Sequence, residues 1–340
     1  MRVSQSSCPL TWIPAYRQAG SPTEVRGGVF GAIFYVIKNP PKREYLQEQH
    51  FGPIWFIPGK NGGKYPFCHS LYIEGAGILI DPASDRERLL QLRQDHGVKM
   101  VWLSHWHEDH LMHLDLFDDL PLWISEKDSS ALSSLEMFLD CYGIDYHDYR
   151  EYWKQLLKEE FHFKSRKPTQ FLQGGQVIDL GVVTVEVIST PGHTPGNLAF
   201  FFREPKVLFM GDYDLAKFGP WYGDLHSSIE ETIDSVNLLR KIPAKVFLTS
   251  HEDGVFMGEA GKLWDDYLEV IGERERRLLE LLRKPRAMKE IVDARIVYGK
   301  PKEPKAFFEF GEEALMRKHL GRLMRLGRVV QEKGKYIKTD

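Results

Sequence analysis

The chain has 340 residues, 42% hydrophobic and 27% charged, an ordinary soluble globular composition with enough length to bury a large core and carry an appendage. Its 45 basic and 48 acidic side chains leave a formal net charge of -3, so no global field steers it toward nucleic acid or an anionic membrane. Three cysteines, Cys8, Cys68 and Cys141, form no CxxC pair and argue against a disulfide framework; with no apolar leader and no bilayer-length apolar run, the expectation is a cytoplasmic protein without a membrane span.

Residues 1–53 read as an irregular arm followed by an edge strand over Gly27–Lys38, which Asn39-Pro40-Pro41 ends. Short strands follow at 54–58, 70–73 and 78–80. Neither Gly62-Gly63 nor Gly75 to Gly77 fits a phosphate-binding loop, which excludes a nucleotide fold. A helix is predicted over 85–96, stopped by Gly97, and then the apolar strand Val98 to Ser104. After a strand at 122–124, residues 126–163 break the strand and helix rhythm with an aromatic helical hairpin. It reads either as a lid over a pocket or as packing onto a sheet. Strands at 177–180, 183–189, 198–202 and 207–210, a helix at 229–239 and a strand at 246–249 complete a layered α/β pattern.

The chemistry sits just past the strand ends. Ser104-His105-Trp106-His107-Glu108-Asp109-His110 follows one strand, and His105 and His107, two residues apart, point the same way from an extended backbone. Thr190-Pro191-Gly192-His193-Thr194-Pro195-Gly196 follows a second strand, Gly211-Asp212 a third and Ser250-His251 a fourth. Strand ends of this kind converge on one edge of an open α/β fold. His105, His107, Asp109, His110, His193, Asp212 and His251 offer more nitrogen and oxygen ligands than one four-coordinate zinc needs, and suit two metals sharing a carboxylate.

These motifs, His-x-His-x-Asp-His at 105–110, Pro-Gly-His-Thr-Pro-Gly at 191–196, Gly-Asp at 211–212 and Ser-His at 250–251, resemble the metallo-β-lactamase superfamily of hydrolases, in its glyoxalase II-like branch. The similarity covers about residues 54–256. It implies a four-layer αββα sandwich over 54–260, with the hairpin as an insert. His105, His107 and His193 would hold one metal, Asp109, His110 and His251 the other, and Asp212 would bridge them. The cofactors implied are two zinc ions, with iron or manganese as alternatives. Catalysis would use a metal-bridging hydroxide that Asp109 orients. Asp81, in Ile80-Asp81-Pro82, matches a structural position of the family beside the site. The chain departs from the family at Leu111-Met112-His113, where relatives carry glycines, and at His69, where they carry asparagine. His69 and His113 are left out of the ligand set.

Residues 265–340 change character. Amphipathic helices at 267–282, 287–297 and 312–326 and a hairpin turning near Gly334 resemble a winged helix. Arg317, Lys318, Arg322, Arg325 and Arg328 cluster on and after its third helix. Without a base-reading signature this favours packing, dimerisation or pocket shaping over DNA binding. The expected function is hydrolysis of an ester, thioester, lactone or similar acyl bond in a small-molecule substrate. Trp221 and Tyr222, in the loop after Asp212, are expected to wall the substrate. A nuclease of the same superfamily and an iron-dependent redox relative of the persulfide-oxidising type are the alternatives.

Overall fold

In the computed structural model, which describes residues 46–144, 147–258 and 260–339, the first half of the chain forms one sheet with its covering helices. The strand expected over 27–38 lies outside the described residues. Seven strands, β1 (Gln49–Phe51), β2 (Ile54–Ile57), β3 (Ser70–Ile73), β4 (Ile78–Ile80), β5 (Met100–Trp102), β6 (Leu122–Ser125) and β7 (Gln170–Leu172), pair in chain order. The ladder is antiparallel to β4 and parallel from β4 to β7. Between the parallel strands run α1 (Arg86–Gln91), α2 (Glu108–Leu111), α3 (Glu126–Ser129), α4 (Leu135–Tyr142) and α5 (His147–Glu159). Asp85 caps α1 by accepting the Arg88 N–H, and the turn that continues it stops at Gly97 with φ 70, a left-handed conformation open to glycine at little cost.

The second half forms a six-stranded sheet, ordered β13-β12-β11-β10-β9-β8. Its strands are β8 (Val177–Asp179), β9 (Thr184–Ser189), β10 (Leu198–Phe202), β11 (Val207–Phe209), β12 (Val246–Leu248) and β13 (Val255–Met257), with α6 (Ile229–Leu239) between β11 and β12. β11 and β12 run parallel, so both deliver their C-terminal ends to the same edge.

Side-chain alternation along these strands builds the layers. Phe56, Leu71, Ile80 and Trp102 of the first sheet meet Val187, Phe200, Phe209 and Leu248 of the second in a core between the sheets. The opposite faces carry the helices. Leu79, Val101 and Leu103 pack with Leu89, Phe138 and Trp153, whereas Phe201, Leu208 and Phe247 pack with Val236, Leu239 and Trp264. Buried aliphatic and aromatic residues therefore form three slabs, and the fold is an αββα sandwich.

The remainder is α7 (Leu263–Leu281), β14 (Arg286–Ala287), α8 (Met288–Asp293), α9 (Lys305–Arg325), β15 (Val329–Glu332) and β16 (Lys335–Lys338), the strands forming a small sheet in the order β14-β16-β15. α7 serves both parts: Trp264 and Tyr267 pack into the sandwich, and Leu278 and Leu279 into the terminal core. α8 ends at Asp293, short of the expected Val297, because the Glu312 carboxylate accepts the backbone N–H groups of Val297 and Tyr298 and takes them out of the helix. α9 begins at Lys305, behind Pro304, seven residues before the expected start. Part of the basic face of α9 is tied down, with Lys318 and Arg322 half-buried and Arg317 and Arg325 exposed. Lys318 donates to the carbonyls of Leu225 and Ser227, Arg322 pairs with Glu275 and Glu230, and Arg325 pairs with Glu230. Among the described residues no helix is long and apolar enough to cross a membrane.

Candidate metal centre

Four loops at strand ends bring the predicted ligands together in two groups, His105, His107, His193 and Asp212 in one and Asp109, His110 and His251 in the other, with ligand atoms within 4.8 Å of one another in each. Asp212 lies between them. Its Oδ2 is 3.3 Å from His193 Nε2 and 3.9 Å from His105 Nε2, whereas its Oδ1 is 2.9 Å from His110 Nε2 and 3.4 Å from His251 Nε2. The Asp109 Oδ2 atom is 3.4 Å from His251 Nε2.

Each imidazole is held from behind by a bond at its other nitrogen. His105 Nδ1 lies 2.9 Å from the Ser104 hydroxyl, which donates to Asp81 Oδ2 at 2.7 Å; His110 Nδ1 donates to the same oxygen at 3.0 Å. His107 Nε2 donates to Asp224 Oδ2 at 2.7 Å, His193 Nδ1 to the Trp221 carbonyl at 3.1 Å, and His251 Nδ1 to the Gly63 carbonyl at 2.6 Å. Such partners fix which nitrogen carries the proton and which way the ring faces. With the outer nitrogens donating, bare lone pairs meet at the centre: His105 Nε2 is 3.1 Å from both His107 Nδ1 and His193 Nε2. His110 Nε2 and Asp212 Oδ1 are buried, close to each other, and still without a well-formed hydrogen bond. Converging lone pairs and orphaned buried acceptors are the arrangement a cation satisfies, and imidazole with carboxylate is a donor set that suits zinc.

Protons compete for this set. Burial lowers the pKa of His107 and His251, but Asp224 beside the first and Asp212 beside the second outweigh it, raising them to about 9 and about 10. Burial pushes Asp212 up, and the surrounding histidines, His251 foremost, bring it well below the usual carboxylate range. A bound cation would have to displace those protons, so affinity should weaken as pH falls.

The loops owe their shape to local chemistry. Gly192 has φ 123, and a Cβ there would lie 2.3 Å from the Thr232 nitrogen; a Cβ at Gly196 would lie 2.6 Å from Asp128 Oδ1. Asp128 is fully buried and accepts from the Thr194 hydroxyl at 2.6 Å and the Gly196 N–H at 2.7 Å, tying the His193 loop to α3.

Trp221 lines the cavity over the ligand groups, and its Nε1 donates to Asp224 Oδ1 at 2.8 Å. Tyr222 does not. It is fully buried, its hydroxyl bonded to Arg274 and His319, so the expectation that it walls the substrate is corrected: the chain alternates at this point and sends the neighbouring side chain under α9. His69 stays outside the ligand groups, bonded to the Gly59 N–H and the Glu252 carbonyl, with burial pushing its pKa down to about 3. His113 is likewise buried outside them, and Leu111 and Met112 fill the core under α1 where relatives are expected to be slim.

Three residues near the site carried no sequence signal. Asp224, which orients His107, sits in a Gly-Asp pair that reads as ordinary turn chemistry. Asp128 belongs to the insert. Glu108, in the unassigned slot of the first motif, is a buried carboxylate that accepts from the Tyr142 and Tyr65 hydroxyls, the latter at 2.8 Å.

The metallo-beta-lactamase superfamily pattern matches residues 64–251, more than half of the chain. The hydroxyacylglutathione hydrolase GloC of Haemophilus influenzae is 31% identical over 145 residues, 41% of this chain and 61% of that protein. A probable metallo-hydrolase of Streptococcus pyogenes is 30% identical over 143 residues, 40% of this chain and 56% of that protein. The alignments thus span about three fifths of these relatives' length. Among solved structures, a metallo-beta-lactamase family protein from Thermus thermophilus superposes with a TM-score of 0.62 at 22% identity, covering 84% of this chain and 99% of that one.

Proposed function

The chain belongs to the metallo-beta-lactamase superfamily, and from that membership we propose that it is a hydrolase whose two ligand groups hold two divalent cations, zinc by preference, and that it cleaves an ester, thioester, lactone or similar acyl bond. The observation that carries this reading is Asp212, which presents one carboxylate oxygen to each group. When bound, such a cation pair supplies Lewis acidity and makes water acidic enough to react near neutral pH.

The chain's own residues do the rest. Asp109 reaches His251 on one side and lines the cavity on the other, which suits it to accept a hydrogen bond from the attacking water and aim it. Asp81 and Asp224 hold the outer nitrogens of His105, His110 and His107, so that once these rings are neutral their inner nitrogens are the ones that face the centre. The rings of Trp221, Trp153 and Phe310 over the groups exclude bulk water, which strengthens every charge interaction beneath them.

A nuclease would need cations beside the cavity to hold a phosphodiester backbone; among the described residues no lysine or arginine lines it, and Lys318 and Arg322 of α9 are bonded to Leu225, Ser227 and Glu275 instead. The test is elemental analysis of purified protein followed by a panel of thioesters, lactones, phosphodiesters and persulfides. Two equivalents of zinc with turnover of an acyl substrate is the expected result. Stoichiometric iron with oxygen uptake, or turnover of phosphodiesters alone, would overturn it.

A further inference from the structure

The cavity above the ligand groups has a volume of about 240 Å³, less than the roughly 300–1,000 Å³ of pockets that take drug-sized ligands. Its base holds His107, His193, Asp109 and Asp212, and its walls are rings from four parts of the chain, with Tyr65 coming from the loop after β2. Trp153 comes from the insert, Phe218 and Trp221 from the loop after Asp212, and Tyr298, Phe307 and Phe310 from the C-terminal segment. Among the described residues no lysine or arginine lines it. Its carboxylates are also engaged: Glu108 accepts from two tyrosines, and Asp109 and Asp212 belong to the ligand groups. A charged group at the far end of a substrate would therefore lose its water and find no counter-charge. An apolar ring would find edges and faces to pack against.

The C-terminal part of this wall is fixed in place. Phe307, Phe310 and Gly311 stand three and four residues apart and share one face of α9. Trp153 meets Phe307 and Phe310 with ring centroids 5.4 and 5.8 Å apart, and Tyr65 meets Phe307 at 5.0 Å. A Cβ at Gly311 would lie 2.4 Å from the Tyr298 hydroxyl, so helix backbone and ring are in direct contact. The Glu312 carboxylate takes the Val297 and Tyr298 N–H groups and clamps that ring's backbone to the helix. Phe218 and Phe308 flank Tyr298 at 5.7 and 5.1 Å, so a displaced ring has the cavity to move into.

We propose that the site takes an uncharged aromatic acyl group, and that α9, through Phe307, Phe310 and the Gly311–Tyr298 contact, selects it against anionic carriers such as glutathione. The proposal rests on the hydrolase reading for the bond that is cut, but not for the group that is bound. Calorimetry on the metal-loaded full chain separates the two, with acetophenone as the neutral aromatic probe, S-methylglutathione as the anionic one and phenyltrimethylammonium as the cationic one.

Acetophenone should bind best to the unaltered protein. Its affinity should fall roughly tenfold, the scale of one aromatic contact, in both Phe310→Ala and Gly311→Ala, with metal content unchanged. Phe310→Leu, which keeps apolar volume and removes the ring, supplies the same readout should the alanine variant fail to fold. Tighter binding of either charged probe, or variants that bind acetophenone like the parent, would overturn the proposal. On neutral thioesters, Phe310→Ala should shift preference from phenylacetyl toward longer acyl chains. If no acyl substrate is turned over at all, the hydrolase reading fails while the calorimetric ranking still decides what the cavity binds.

Discussion

Beneath the cavity, polar side chains arrive on short loops at the ends of β5, β9, β11 and β12, and each ring is pinned by a carboxylate, a hydroxyl or a carbonyl. Above it, aromatic rings arrive from an insert, a loop and the C-terminal segment, and pack largely against one another. The first region is a rigid donor set in which an atom displaced by an ångström loses its function. The second is a surface whose composition can change while the donor set stays where it is. On the proposed reading, the residues that cut the bond and those that recognise the group come from different stretches of chain, a division by which one fold can carry many activities.

The largest test of this division strikes the lower region. Asp212→Ala removes the carboxylate whose two oxygens face one group each, and should abolish both metal content and hydrolysis while leaving the far-ultraviolet circular dichroism near that of the parent. Full activity in this variant would dismiss the two-group assignment. Prolonged chelation should give the same loss, reversed on adding metal back.

Asp224→Asn probes the support behind a ligand. It weakens the hold on the His107 ring without removing a donor from the centre, so metal affinity or activity should drop about 10–100-fold. Titration with a competing chelator reads this directly. A variant that retained metal as firmly as the parent would leave Asp224 a packing residue.

The test farthest from the chemistry concerns Asp128, which ties the His193 loop to the insert. Burial raises its pKa from the ordinary 3.8 to about 7. The folded state therefore favours the protonated form; this contribution to stability is complete below the unfolded pKa and is lost as pH rises through the folded one. Between about pH 4 and pH 7 the parent should lose stability relative to Asp128→Asn, whose amide carries no charge to desolvate. Urea unfolding at both ends of that window checks the sign, and parallel pH profiles would refute it.

The stretch from Ser104 to His110 was legible because its signal is local: an apolar strand, alternating histidines and a turn into helix lie within ten residues. The same holds for the Pro-Gly-His turn and for α6, whose bounds match the expected 229–239. β1, β7, β13 and β14 were not legible: unlike the equally short but buried β4, β11 and β12 they carry no buried apolar run, and they owe their existence to a neighbour's hydrogen bonds. The basic stripe on α9 was visible in the sequence, but its use was not. Glu275 and two loop carbonyls, far away in the chain, decide that Lys318 and Arg322 are drawn inward while Arg317, Arg325 and Arg328 stay exposed.

The family and the candidate donors that gather at the strand ends were therefore readable from the sequence, because such donors must be of particular kinds at particular spacings. The wall over them was decided by the tertiary structure. Tyr222 and Trp221 are neighbours, yet one is buried beneath α9 and the other faces the cavity, and Phe310 stands beside Trp153 from across the chain. Aromatic residues satisfy a core and a binding wall equally well, so only the path of the backbone chooses between them.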